Sequence, residues 1–189
     1  VYVLARSFAG VEILAFMGTI MCLYGVFYAT IENNARRILA YHIVSQVGYM
    51  VAGIGIGTAM TVNGACAHAY AHILYKGLLF MTVAGVIAKT GTRLMYEMGG
   101  LIKRMPLSFV AVLMSIIAIS GVPPLTGFGG KWMLYSAFIE QGWTLQAGMA
   151  FFASAVAFLY LYRLIHTVFL GMPKNEHLHV KEVSVGRLI

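Results

Sequence analysis

Residues 106–138 read PLSFVAVLMSIIAISGVPPLTGFGGKWMLYSAF, and the reading of this stretch decides the fold. It is apolar enough to lie in a membrane. As one helix its 33 residues would run about 50 Å, whereas a straight crossing has only roughly 30 Å of hydrocarbon to span. The centre, Ser120-Gly121-Val122-Pro123-Pro124-Leu125-Thr126-Gly127, sets two prolines in succession. Each proline removes a backbone donor and clashes with the carbonyl one turn earlier, so the helix is expected to break there. Broken backbone at membrane depth persists only where protein buries it or water lines it. Discontinuous helices near the midplane are a recurring feature of transporters. The competing reading is a simple kink, or a short loop between two ordinary helices.

The rest of the chain agrees with a membrane setting. Hydrophobic residues make up 60% and charged residues 10%, against about 45–50% and about 25% in soluble domains. A soluble domain needs more polar surface than this chain has. Further apolar spans lie at residues 13–31, 39–57, 62–88 and 144–170, each near the ~20 residues that a crossing helix needs. The expected fold is all-α: a polytopic transmembrane helical bundle of about five spans, the fourth broken at residues 121–127. Residues 1–171 form the transmembrane segment and residues 172–189 a polar cytoplasmic tail at the surface. The chain opens on Val1, and no charged region with a cleavage site precedes the apolar spans. It therefore reads as a piece of a longer protein. Cys22 and Cys66 sit in apolar runs where no disulfide is expected.

The net charge of +7 does not point to nucleic acid, because the basic residues fall between the spans instead of forming a footprint. Five crossings put Arg36, Arg37, Lys89, Arg93, Lys103, Arg104, Lys174, Lys181 and Arg187 on one side, and Arg6 with little else on the other. By the positive-inside rule the loops with Arg36/Arg37 and Lys89–Arg104 are cytoplasmic in a cell inner (plasma) membrane. The start of the chain then lies on the opposite face.

His68, His72 and Lys76 follow one another at intervals of four residues. Four residues advance a helix by about 400°, so the three share one stripe about 12 Å long. Lys76 is near the middle of its span, where a charge costs about 2.5–3.5 kcal/mol on insertion scales. The stripe must therefore face protein or water. Histidine exchanges a proton near neutral pH, and a desolvated lysine becomes able to do the same. Three such groups about 6 Å apart, bridged by water, make a proton relay. The plainer alternative is a set of polar groups paired with neighbouring helices. A metal site is a third reading, since His68 and His72 have ligand spacing. Cys66 points away from them, however, and the chain has no Asp, whereas structural zinc wants four ligands. No metal or cofactor is expected.

Lys131, just beyond the break, is a second centre, unless it snorkels to the interface. Ser120 and Thr126 are candidates to bond the freed backbone, and Gly129 and Gly130 to admit another helix or a water chain. His42, near Arg36 and Arg37, is a candidate proton entry group. Ser45 and Gln46 are placed to bridge helices. Glu12, Glu140, Arg163 and His166 read as interface anchors, Tyr160, Tyr162 and Trp143 as belt or packing residues, and the methionines as packing. No phosphate-binding or nucleophile motif is present.

Three stretches together resemble a known family: Arg36–His42 (RRILAYH) with Ser45–Met50 (SQVGYM), His68–Phe80 (HAYAHILYKGLLF) and Gly121–Trp132 (GVPPLTGFGGKW). They are similar to the antiporter-like proton-translocating subunits shared by respiratory complex I, membrane-bound hydrogenases and Mrp-type cation/proton antiporters. The resemblance covers nearly the whole chain except its polar tail. It implies two inverted five-helix repeats, of which this chain looks like the second, with Lys76 and His72 on a central hydrophilic axis and Lys131 on the second broken helix. The family's glutamate and paired lysines belong to the first repeat and are absent here. Within the family, the pattern from His42 to Met50 resembles the D-type component of Mrp antiporters most. Such a component implies no redox centre of its own, partner membrane subunits, and transport of protons with Na+ or K+. The alternative in the family is a proton-pumping subunit of an NADH:quinone oxidoreductase or membrane-bound hydrogenase. Outside the family stand a membrane scaffold and a haem-binding anchor.

Overall fold

A computed structural model describes residues 1–173 and 180–182. Lys174, Arg187 and most of the polar tail lie outside the described residues. Within them the chain is helical, with a single isolated bridge between Asn34 and Leu94. A short helix α1 (Tyr2–Ser7) precedes α2 (Glu12–Ile31), α3 (Ala35–Ile56) and α4 (Ala59–Thr90). Two 3-10 turns, Met95–Glu97 and Leu101–Lys103, lead to α5 (Pro106–Ser120), α6 (Thr126–Glu140) and α7 (Thr144–Ile165), which ends in a π-turn, His166–Leu170. Four helices are long and apolar enough to cross a membrane: α2, α3, α4, and α7 with its π-turn. The half-length α5 and α6 complete the fourth of the five expected spans as a broken pair.

Residues 36–38 start inside α3, not in the loop expected from their charge. Two cations in a first turn oppose the helix dipole. The Asn34 side chain offsets this by accepting from Arg36 N at 3.0 Å and Arg37 N at 3.4 Å. Glu32 accepts from Asn33 N at 2.9 Å and Asn34 N at 3.0 Å and sits 3.7 Å from Arg37. These contacts, led by the Asn34 amide, hold its carboxyl below the usual carboxylate range.

The basic segments gather at one end of the bundle. Ala35 N donates to Arg93 O and Met95 N to Asn33 O, joining the α2–α3 loop to the α4–α5 connection. Arg163 reaches Glu32 O from α7. The tail is not wholly at the surface. Val180 is buried, and Glu182 accepts from Leu107 N (2.8 Å), Ser108 N (3.4 Å) and Ser108 Oγ (2.6 Å), satisfying donors that every helix N-terminus leaves open. At the opposite end Gly10 N donates to Ile54 O.

Helices α2 and α3 pack backbone to backbone. A Cβ on Gly18 would lie 2.3 Å from Ala52 N, and one on Gly48 2.5 Å from Gly18 O. Close approach over small residues is how membrane helices associate without a hydrophobic driving force between them. Large apolar side chains point outward instead, among them Ile20, Phe27, Ile73 and Phe151.

Candidate functional site

The break begins at Gly121, whose φ of 76° ends α5 in the left-handed region that favours glycine. After four intervening residues α6 starts with its first turn alongside the end of α5. A Cβ on Gly127 would stand 1.8 Å from Ala118 O, so only glycine fits there. The last carbonyls of α5 have no partner within their own helix. Lys131 supplies one: its Nζ donates to Ile119 O at 2.7 Å and to Ser154 Oγ of α7 at 2.7 Å. The ammonium thus sits at the negative end of the α5 dipole. It does not snorkel, being 3% exposed. Ser120, expected to tend the freed backbone, donates to Ile116 O of its own helix instead.

From Lys131 a file of side chains runs into the bundle. Its Nζ lies 5.6 Å from the ring centre of Tyr49 on α3. Tyr49 is 5.8 Å from His68, and His68 stacks with His72 at 6.3 Å. Lys76 follows one turn later on α4, its Nζ donating to Leu39 O at 3.2 Å and standing 5.3 Å from the Phe80 ring centre. His68, His72 and Lys76 are all buried, as the stripe requires. Gly130 permits the meeting of α6 and α4, since a Cβ there would be 2.6 Å from His68 N. A Cβ on Gly129 would meet open space, with no other described helix within 4 Å.

Of the expected bridges, Gln46 makes one: His68 Nε2 donates to its Oε1 at 3.0 Å. Ser45 does not, as its hydroxyl has no partner among the described residues. His42, the candidate entry group, is fully buried, and its Nδ1 is hydrogen-bonded to the Tyr160 hydroxyl of α7. Tyr160 is thus no belt residue. Tyr162, by contrast, is exposed.

Sequence reasoning missed Tyr49, Tyr75, Tyr135, Ser154 and Tyr160. For Tyr49 a signal existed, because His42, Ser45, Gln46 and Tyr49 repeat the i, i+3, i+4, i+7 pattern of one helix face. Buried polar atoms with no hydrogen-bond partner among the described residues cluster along the same file: His42 Nε2, Gln46 Nε2, His68 Nδ1, His72 Nε2, Tyr75 Oη and Tyr135 Oη. Buried polar groups normally find partners, and water is small enough to serve. No carboxylate among the described residues lies within ion-pair distance of Lys76 or Lys131. A cavity of about 640 Å³ opens beside Lys131 between α6 and α7, walled by Phe128, Trp132, Tyr135, Ser154 and Phe158. Cys66 is exposed while the two histidines are buried, and among the described residues no group of three or more His, Cys, Asp or Glu is placed to hold a metal ion.

The family described as NADH:quinone oxidoreductase/Mrp antiporter, TM matches residues 3–157. The chain is 35% identical over 170 residues to the D-type component of the Na(+)/H(+) antiporter of Alkalihalophilus pseudofirmus, covering 88% of this chain and 34% of the relative. It is 33% identical over 164 residues to the N-type component of the NADH-quinone oxidoreductase of Desulforudis audaxviator, covering 86% of this chain and 33% of the relative. Among solved structures, a chain of the membrane-bound sulfane sulfur reductase, an archaeal respiratory membrane complex, superposes with a TM-score of 0.89. That match has 35% identity and covers 93% of this chain and 29% of the other. The chain spans about a third of the length of these curated relatives.

Proposed function

As this chain belongs to the NADH:quinone oxidoreductase/Mrp antiporter transmembrane family, we propose that it translocates protons within a multi-subunit monovalent cation (Na+ or K+):proton antiporter, as a component of the Mrp D type. The observation that carries the reading is the file from Lys131 through Tyr49, His68 and His72 to Lys76, buried and without a carboxylate partner among the described residues. Titratable groups are expensive in a membrane and mark ion pathways there. Lys76, His72, His68 and Lys131 pass protons through intervening water, and His42 is a point of entry. Pro123, Pro124 and Gly127 keep the broken helix open, so that Lys131 meets the α5 carbonyl end. Residues 1–171 form the conducting segment. The basic end faces the cytoplasm of a cell inner membrane, and the outer apolar faces meet lipid and other membrane subunits of the same complex.

The similarity to a component of an NADH-quinone oxidoreductase supports a second reading, in which the same file works in a redox-driven pump. Both readings are tested in inside-out vesicles holding the full-length protein and its partner subunits. A pH gradient is preset, Na+ or K+ is added, and a pH-sensitive dye is followed. Antiport gives a cation-triggered collapse that Lys76→Ala slows about a hundredfold, the lower end for loss of a proton-transferring group. A redox pump gives no cation response, and the variant instead fails to build a gradient on adding an electron donor. Undiminished transport in Lys76→Ala by both assays removes Lys76 from the pathway.

A further inference from the structure

The stripe His68, His72, Lys76 does not stop at the lysine. Four residues on stands Phe80, and beyond it Val83 and Ala84 continue the same face of α4 toward the basic end. On this stretch the structure has a cavity of about 340 Å³ between α3 and α4, lined by Arg36, Leu39, Phe80, Met81, Val83 and Ala84. Arg36 and Ala84 are exposed, and Arg36 belongs to the first turn of α3 at the basic end. Lys76 does not line the cavity, yet it touches two residues that do. Its Nζ donates to Leu39 O at 3.2 Å and lies 5.3 Å from the Phe80 ring centre. Leu39 and Phe80 thus border both the cavity and the ammonium, and stand where a partition between the two would be.

We infer that this cavity is the vestibule through which protons from the basic end reach Lys76, and that the half-buried Phe80 ring is the gate between them. The inference rests on the proton-translocating reading above. A phenyl ring suits the task chemically. Its face attracts a cation on the inner side, while its apolar bulk denies water a continuous hydrogen-bonded path. Phe80 turns on χ1 and χ2 alone, so a change of rotamer opens the partition without moving a helix. The rest of the wall carries no group that would hold a proton short of the lysine: Leu39, Met81, Val83 and Ala84 are apolar, and Arg36 is a fixed cation that cannot be deprotonated in a protein. The vestibule delivers protons and does not store them.

The test uses the complete complex in inside-out vesicles, with Cys66→Ser removing an exposed thiol. A small membrane-impermeant methanethiosulfonate is the probe. The Ala84→Cys variant is expected to react from the basic side, and no reaction there overturns the vestibule, leaving a lipid-filled groove. The Lys76→Cys variant is expected to react slowly. Its rate should rise about tenfold when combined with Phe80→Ala, the change that removing a ~1.4 kcal/mol barrier produces. Equal rates with and without the ring overturn the gate. Should Lys76→Cys prevent assembly, Phe80→Ala alone decides: faster passive proton equilibration supports the gate, and an unchanged leak overturns it. The thiol readouts do not depend on any transport activity. A complex that labels as expected but moves no protons would therefore sink the functional reading and leave the vestibule standing.

Discussion

Tyr160 shows how much one hydroxyl can hold in place. It meets His42 Nδ1 in a region where the other ring nitrogen, Nε2, has no protein partner among the described residues. Tyr160→Phe would leave the imidazole without a protein hydrogen bond on either side. A buried polar group stripped of its partner costs about 1–3 kcal/mol, so the thermal midpoint of the purified complex is expected to fall, with slower transport alongside. An unchanged midpoint would mean that the pair contributes nothing. The sequence could not have placed this contact. A hydroxyl on a membrane helix has a local alternative, bonding the carbonyl one turn back. Thr19 bonds Ala15 O, Thr82 bonds Leu78 O and Ser115 bonds Ala111 O in this way. Ser154 looks no different in the sequence, and which of these short hydroxyls reaches across, like which helix receives the Tyr160 phenol, is settled only by the facing helix. Lys76 and Lys131 were legible because an ammonium has no such local remedy: its cost forces it inward.

For the elements, two glycines in the first turn of α6 separate two kinds of small residue. A Cβ at Gly127 would run into Ala118 O, so Gly127→Ala must push α6 away from α5 and loosen the Lys131 contact with Ile119 O. Overpacking of this kind costs about 1–3 kcal/mol. Gly129→Ala meets open space and replaces a poor helix former, so it should be neutral or stabilising by up to about 1 kcal/mol. Thermal unfolding of the two variants checks the contrast, and equal losses would contradict the packing of α5 against α6. The double proline made the break itself legible. What sequence could not give was the partner of the freed carbonyl. Ser120 and Thr126 were nearer along the chain, but the first turn of α6 lies alongside the end of α5 and brings in a lysine from the following helix. The first turn of α3 was missed for a related reason: Arg36 and Arg37 argue against a helix start, and the Asn34 cap outweighs them.

The whole molecule has a charge axis. Arg36, Arg37, Arg93 and Lys103 belong to segments joined at one end, while Glu140 and the Gly10 turn lie at the other. Thiols introduced by Lys103→Cys and Glu140→Cys, in the full complex, are expected to react with an impermeant reagent from opposite sides of the membrane, Lys103→Cys from the cytoplasm. Reaction from the same side would contradict the five-span count, and reversed sides the orientation.

The two ends also differ in how they are fastened. At the basic end, backbone bonds, the Arg163 contact and the Glu182 cap tie the α2–α3 loop, the α4–α5 connection, α5 and α7 to one another. At the far end the corresponding backbone tie is Gly10 to Ile54. A bundle clamped in this way behaves like a set of rods held in a vice. In such an arrangement thermal displacement grows with distance from the clamp, and a torque applied from outside at the loose end is concentrated wherever a rod is jointed. Among the described residues the jointed rod is the α5–α6 pair. Mechanical strain from outside would therefore arrive at the contact between Lys131 and the carbonyl of Ile119 before it reached any other part of the file.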